Sequence, residues 1–209
     1  MARATSLSVE DFFGHRITYD DLAAEMQADV KSDQSFIPLD ICALRVIDTN
    51  NIDNLVGHGG IVALDSDPLL KRVNGATDKA LRIEWAASSV IEAQFPPVPW
   101  PPDLDPDEDV VVHLLLSRNT GTDDCTIDVQ AYEGTVTGSA YAADTEMGGA
   151  TAAIAVNNII VERTVVLGSS DIVGAPGFLN LSLVPAAHTT DKIWLWAAWI
   201  EYSRKLRTT

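Results

Sequence analysis

Cys125-Thr126-Ile127-Asp128-Val129-Gln130-Ala131-Tyr132 alternates without a break: Cys125, Ile127, Val129 and Ala131 are apolar, and Thr126, Asp128 and Gln130 between them are polar. Successive side chains of an extended chain point to opposite faces, so this pattern predicts a strand with one face in a core and one in water. Leu179-Asn180-Leu181-Ser182-Leu183 repeats the rule, with three leucines inward and Asn180 and Ser182 outward. Val110-Val111-Val112-His113-Leu114-Leu115-Leu116 and Ile193-Trp194-Leu195-Trp196-Ala197-Ala198-Trp199-Ile200 are instead apolar on both faces, as strands covered on both sides are. Strict period two puts Trp194 and Trp196 on one face of the last strand and Trp199 on the other.

Outward from these stretches, runs rich in Val, Ile, Leu, Thr and Trp recur at 36–48, 60–65, 80–87, 89–95, 109–118, 125–132, 159–167, 178–184 and 192–203, bounded by Gly, Pro, Asn and Asp. No amphipathic stretches of helical length lie regularly between them. The βαβ arrangement of a parallel sheet therefore fails, and the expectation is an all-β fold, an antiparallel jelly-roll-like sandwich. Phe95-Pro96-Pro97-Val98-Pro99-Trp100-Pro101-Pro102-Asp103-Leu104-Asp105-Pro106 holds six of the ten prolines. It reads as an extended crossing and not as a ladder strand, because proline donates no backbone hydrogen bond. Gly134 to Thr151, rich in Gly, Ala, Ser and Thr, reads as a long loop.

Residues 1–34 form an arm ahead of the 35–209 sandwich. Thr18 offers an N-cap to the acidic first turn of Tyr19-Asp20-Asp21, and Leu22, Met26 and Val30 repeat at i, i+4, i+8, which predicts a short amphipathic helix over 19–31. So short a helix is marginal alone and needs a surface to dock on.

The composition excludes several functions. Thirty acidic against fourteen basic residues in 209 give a net charge of −16, which repels nucleic acid and anionic lipid. The longest apolar runs fall far short of the ~20 residues of a membrane-spanning helix. The start lacks the apolar core of a secretory signal, and Cys42 and Cys125 make no disulfide framework, so a reduced chain made in a cytoplasm is expected.

No catalytic constellation stands out. Gly57-His58-Gly59-Gly60 looks like an oxyanion loop, but the chain has no Gly-x-Ser-x-Gly elbow to go with it. His15, His58, His113 and His188 never occur at metal-ligand spacing, and His113, sharing a face with Val111 and Leu115, reads as structural. The acidic run Asp103 to Asp109 spaces oxygens like a calcium loop but lacks the turning glycine, so it reads as a solvated turn. Trp194, Trp196 and Trp199 suit a core or a subunit interface. A sugar platform would need them exposed together. Trp85 and Trp100 are ambiguous, and the Asn180-Leu181-Ser182 sequon falls inside a strand.

Three features resemble the jelly-roll structural proteins of tailed-phage virions: head decoration, head-fibre and tail-adaptor proteins. They are Ala80-Leu81-Arg82-Ile83-Glu84-Trp85 before a Pro-rich loop, the strand ending Gln130-Ala131-Tyr132-Glu133-Gly134, and Asp191-Lys192-Ile193 running on to Tyr202. The resemblance covers residues 36–204 and implies a non-enzymatic virion protein of a tailed bacteriophage, often trimeric and synthesised in the host cytoplasm. Leu22, Met26 and Val30 would dock on a capsid or tail lattice, and Trp194, Trp196 and Trp199 would meet sister subunits or fill the core. No cofactor or metal is expected. The alternative is a carbohydrate-binding or receptor-binding sandwich using Trp100 or the terminal tryptophans.

Overall fold

Alternation in the sequence becomes antiparallel pairing throughout the computed structural model, which describes residues 9–10, 16–17, 34–48, 51–55, 68–73, 80–119, 123–135, 146–154, 158–174, 176–186 and 188–205. The strands are β1 (Val9–Glu10), β2 (Arg16–Ile17), β3 (Gln34–Leu39), β4 (Arg45–Asp48), β5 (Asn51–Leu55), β6 (Leu69–Arg72), β7 (Leu81–Trp85), β8 (Ala93–Gln94), β9 (Val98–Pro99), β10 (Val110–Arg118), β11 (Ile127–Thr135), β12 (Gly149–Ala150), β13 (Val161–Leu167), β14 (Gly177–Pro185) and β15 (Ile193–Ser203). One sheet runs β13-β10-β15-β7-β6, with β3 beside the half of β15 that β7 leaves free. The other runs β12-β11-β14-β8-β4-β5, with β9 on the same edge of β14 as β8. The fold is a jelly-roll-like antiparallel β-sandwich. A separate two-stranded ladder joins β1 and β2.

The inward residues are those that alternation selected. Ile127, Val129 and Ala131 of β11 and Leu179, Leu181 and Leu183 of β14 are fully buried, facing Val112, Leu114 and Leu116 of β10 and Leu195 and Ile200 of β15 in one core. Burying each such aliphatic side chain contributes about 1.5–3 kcal/mol. Trp85 is fully buried and its indole N–H donates to the Ile91 carbonyl at 3.0 Å. Asn180 and Ser182, expected to be wet, are 6% exposed, because β14 lies inside its sheet with neighbours on both edges.

Three expectations need correction. The run at 36–48 is broken by a 3-10 turn at Ile41–Ala43, where the Asp40 carboxylate accepts the Cys42 N–H at 2.9 Å. This corner carries the chain from the first sheet in β3 to the second in β4. The Pro-rich crossing does pair, through Val98–Pro99 against Leu179 and Phe178. Its flanking N–H groups suffice: Phe95 donates to Leu181 and Trp100 to Gly177, both at 2.9 Å, and the prolines between need no acceptor. Within the stretch read as a loop, 146–154 returns along the edge of β11, with Met147 N–H to the Ala131 carbonyl and Thr151 N–H to that of Ile127. Gly148 permits this approach, since a Cβ there would sit 1.6 Å from the Val129 carbonyl oxygen. The predicted helix with Leu22, Met26 and Val30, the run at 60–65 and Gly57-His58-Gly59-Gly60 lie outside the described residues.

Candidate functional site

A register shift between Leu115 and Leu116 of β10 builds the site. Leu115 pairs with Ala197, but Leu116 pairs with Leu195, so β15 carries one extra residue, Trp196. Such a bulge puts two consecutive residues on the same side of the strand and shifts the phase of alternation by one. Ile193 and Leu195 are buried before it, and Ala198, Ile200 and Tyr202 after it. Trp194, Trp196 and Trp199 therefore all stand half-buried on the outer face of the first sheet. The placement of Trp199 opposite the other two, expected from strict period two, is corrected by the bulge.

Neighbouring strands hold each ring. Trp199 stacks on His113 at 4.8 Å between centroids with 10° between planes. His113 Nδ1 lies 2.6 Å from Glu162 Oε1, and Nε2 lies 3.1 Å from a Glu201 carboxylate oxygen but off the line a hydrogen bond needs. The Trp196 N–H donates to Ser117 Oγ at 2.7 Å, and its ring meets Trp194 edge-on at 6.4 Å. The Arg82 guanidinium lies 3.6 Å above the Trp194 ring and 5.4 Å from that of Trp196. One face of Trp194 is thus taken by a cation, an arrangement worth about 0.5–2 kcal/mol.

Beside these rings Glu84, paired in register with Trp194 and Leu69, collects three cations. Lys71 Nζ donates to it at 2.7 Å, Arg82 Nη2 at 2.9 Å and Lys192 Nζ at 3.1 Å. Burial alone would raise the Glu84 pKa, but the hydrogen bonds from Lys71, Lys192 and Arg82 outweigh it and bring it down to about 2 from the ordinary 4.5. A folded-state pKa below the unfolded one means that stability is fully present above about pH 4.5 and is lost as pH falls toward 2, with an upper bound of about 3 kcal/mol. Urea midpoints measured from pH 7 to pH 2 should show Glu84→Gln less stable than wild type at neutral pH, with the gap closing through that window. A constant gap would remove the carboxylate from this role.

The start of β15 is pinned from below. Asp123 accepts the N–H groups of Thr190 at 2.7 Å, Thr189 at 2.8 Å and Asp191 at 3.2 Å, which hold its carboxyl well below the usual range. Buried Asp191 pairs with Arg118 at 3.0 Å. This latch sets where Lys192 and Trp194 leave the loop.

The other sequence candidates serve the fold. Trp100 is 4% exposed and donates to Glu133, so it is no platform. His188 is buried with Nδ1 2.8 Å from the Ala186 carbonyl and Nε2 3.0 Å from that of Ala86. The acidic run spends its carboxylates separately, Asp103 on Arg204, Asp105 on the Asp107 N–H and Asp109 on the Ser169 N–H. Among the described residues no three His, Cys, Asp or Glu side chains converge on a possible metal site. Both thiols are free, and burial pushes that of Cys125 up to about 11. Sequence reasoning missed Lys71, Arg82, Glu84 and Lys192, which come from β6, β7 and the residue before β15, far apart in the chain. The visible signal was a charged alternation, Arg82 and Glu84, on a strand whose other face is Ile83 and Trp85.

The geometry defines the class as an antiparallel β-sandwich with an aromatic outer face. No protein-family model and no curated protein matches the chain. Among solved structures it is similar to the xylan-binding module CBM15, with TM-score 0.48 and 9% identity over 83% of this chain and 99% of that one. It is also similar to a family 30 carbohydrate-binding module of a cellulosomal cellulase of Clostridium thermocellum, with TM-score 0.43 and 9% identity over 78% and 92%. A third is the CBM22-1-GH10 portion of Clostridium thermocellum endo-1,4-beta-D-xylanase 10B complexed with xylohexaose. There the TM-score is 0.39 and the identity 13%, over 86% of this chain and 29% of that one. The expected function, a virion structural protein that decorates a capsid, is corrected here: the similar solved structures are carbohydrate-binding modules and not phage proteins.

Proposed function

We propose that this protein is a carbohydrate-binding β-sandwich module, without catalysis of its own, that holds a glycan across the outer face of the first sheet. The observation that carries the reading is the β15 bulge, which lines up Trp194, Trp196 and Trp199 on one face. The C–H face of a sugar ring is apolar and flat and packs on an indole, while its hydroxyls need fixed polar groups at the rim. Ser117, Arg82, Glu162 and Glu201 stand around these rings. Because the indoles are already fixed by neighbours, binding orders little that is free, which favours affinity.

Titrating neutral oligosaccharides such as xylohexaose while following tryptophan emission and quenching by acrylamide tests this, with the mass in solution measured alongside. The expected result is a saturable emission change with protection of the outer rings. One specific observation favours a second reading, in which the same face meets another copy of the chain: Phe36 and Val166, 58% and 54% exposed, lie on the same face as Trp199. A multiple of the 22.5 kDa mass with no response to any glycan favours that reading and overturns the first.

A further inference from the structure

We infer that the glycan bound here is a largely neutral one carrying an isolated acidic substituent, which seats on the cationic cluster of Lys71, Arg82 and Lys192 at the Trp194 end of the aromatic row. The inference rests on the glycan reading and names its ligand class. The protein as a whole carries −16, yet at this place three cations meet one carboxylate, Glu84, leaving a local formal charge of +2. One cation would neutralise Glu84, and the other two leave this place positively charged.

Both lysine ammonium groups are open to a ligand. The Lys71 and Lys192 side chains are 43% and 41% exposed, whereas Glu84 is 5% exposed. An ammonium has three donors, and the hydrogen bond to Glu84 takes one from each lysine. The Arg82 guanidinium bridges this cluster to the rings by lying over Trp194. A sugar stacked on the row would thus bring a substituent on its end residue to a pair of ammonium donors.

The sign of the whole molecule narrows the ligand further. A densely charged polyanion would be repelled by the −16 surround, while an isolated carboxylate or sulfate on a neutral backbone meets the local charge at short range. At physiological salt the long-range field is screened beyond about 8 Å, so the nearby cations dominate for such a ligand.

The test uses one oligosaccharide backbone in four forms: neutral, bearing a single uronic-acid group, the same with its carboxyl reduced to the alcohol, and bearing a single sulfate. Calorimetric titration should show the uronate form binding about tenfold more tightly than its carboxyl-reduced twin at 50 mM salt, with the difference shrinking at 0.5 M. The half-exposed pair K71Q/K192Q should abolish that difference, read as the ratio of the uronate and carboxyl-reduced affinities on the same variant. A gain with sulfate as well as uronate assigns the cluster to anionic substituents in general, and a gain with one alone identifies the group. Uronate bound no more tightly than its reduced twin, together with sulfate bound no more tightly than the neutral form, overturns this inference and leaves the glycan reading standing. Binding of none of the four overturns both. Tighter binding of a polyanion such as heparin or DNA than of the singly charged form also overturns it.

Discussion

Replacing Glu133 with alanine should lower the free energy of unfolding by about 3–5 kcal/mol, although Glu133 lies in no candidate site. Its carboxylate is 4% exposed and accepts three hydrogen bonds from distant parts of the chain: the Trp100 indole N–H at 2.7 Å, the Gly174 N–H at 2.8 Å and the Val173 N–H at 2.7 Å. These bonds tie the Pro-rich crossing and the turn before β14 to the end of β11. Gly174 has φ +85°, a conformation that glycine adopts without the cost a side chain would add, so the turn is shaped to present two adjacent N–H groups to one carboxylate. Alanine leaves all three donors facing no acceptor in a water-poor place, and each such loss costs about 1–3 kcal/mol. Trp100→Phe is the control, because it removes one donor and keeps most of the ring, and should cost about 1–2 kcal/mol. Urea unfolding followed by circular dichroism measures both. A loss below about 1 kcal/mol for Glu133→Ala would mean that water or a rearranged turn replaces the carboxylate.

The sandwich was legible because its deciding strands have one apolar and one polar face, and a period of two is visible wherever the two faces differ in chemistry. Cys125 to Tyr132 and Leu179 to Leu183 carry that difference, and their inward residues are those the alternation selects. β15 does not carry it. With Ile, Leu, Trp and Ala on both sides, no contrast marks where the phase slips, so the bulge at Trp196 was invisible and Trp199 was placed on the wrong face. Once the buried set is known, the slip can be read from Ile193 and Leu195 giving way to Ala198, Ile200 and Tyr202. The cationic cluster was illegible for another reason. Lys71, Glu84 and Lys192 come from β6, β7 and the residue before β15, and only the order β15-β7-β6 makes them neighbours. Local pattern reports which face a residue takes, whereas strand order in a sandwich is set by the long connections.

Removing both Trp196 and Trp199 should cut affinity for a neutral glycan by about 100-fold or more while the fold survives. Each aromatic anchor of this kind is worth about 1.4–2 kcal/mol or more on binding, and two such losses multiply to that factor. The fold should tolerate the change because both rings stand on the outer face, half-buried, and neither fills the core between the sheets. Trp196→Ala frees Ser117 Oγ, and Trp199→Ala uncovers one face of His113, for a combined stability cost of about 2–3 kcal/mol. Trp85→Ala makes the opposite pattern. That ring is fully buried against Ile83 and Ile193 in the core, so its loss should cost about 3–5 kcal/mol of stability and leave the affinity of the remaining folded protein nearly intact. Trp194→Ala should fall between, since Arg82 already covers one face of its ring and the direct contact with a sugar is smaller. Calorimetric titration of the three variants at a temperature where all are folded separates these contributions. If W196A/W199A keeps its affinity within about threefold of wild type, the aromatic row is not the binding surface.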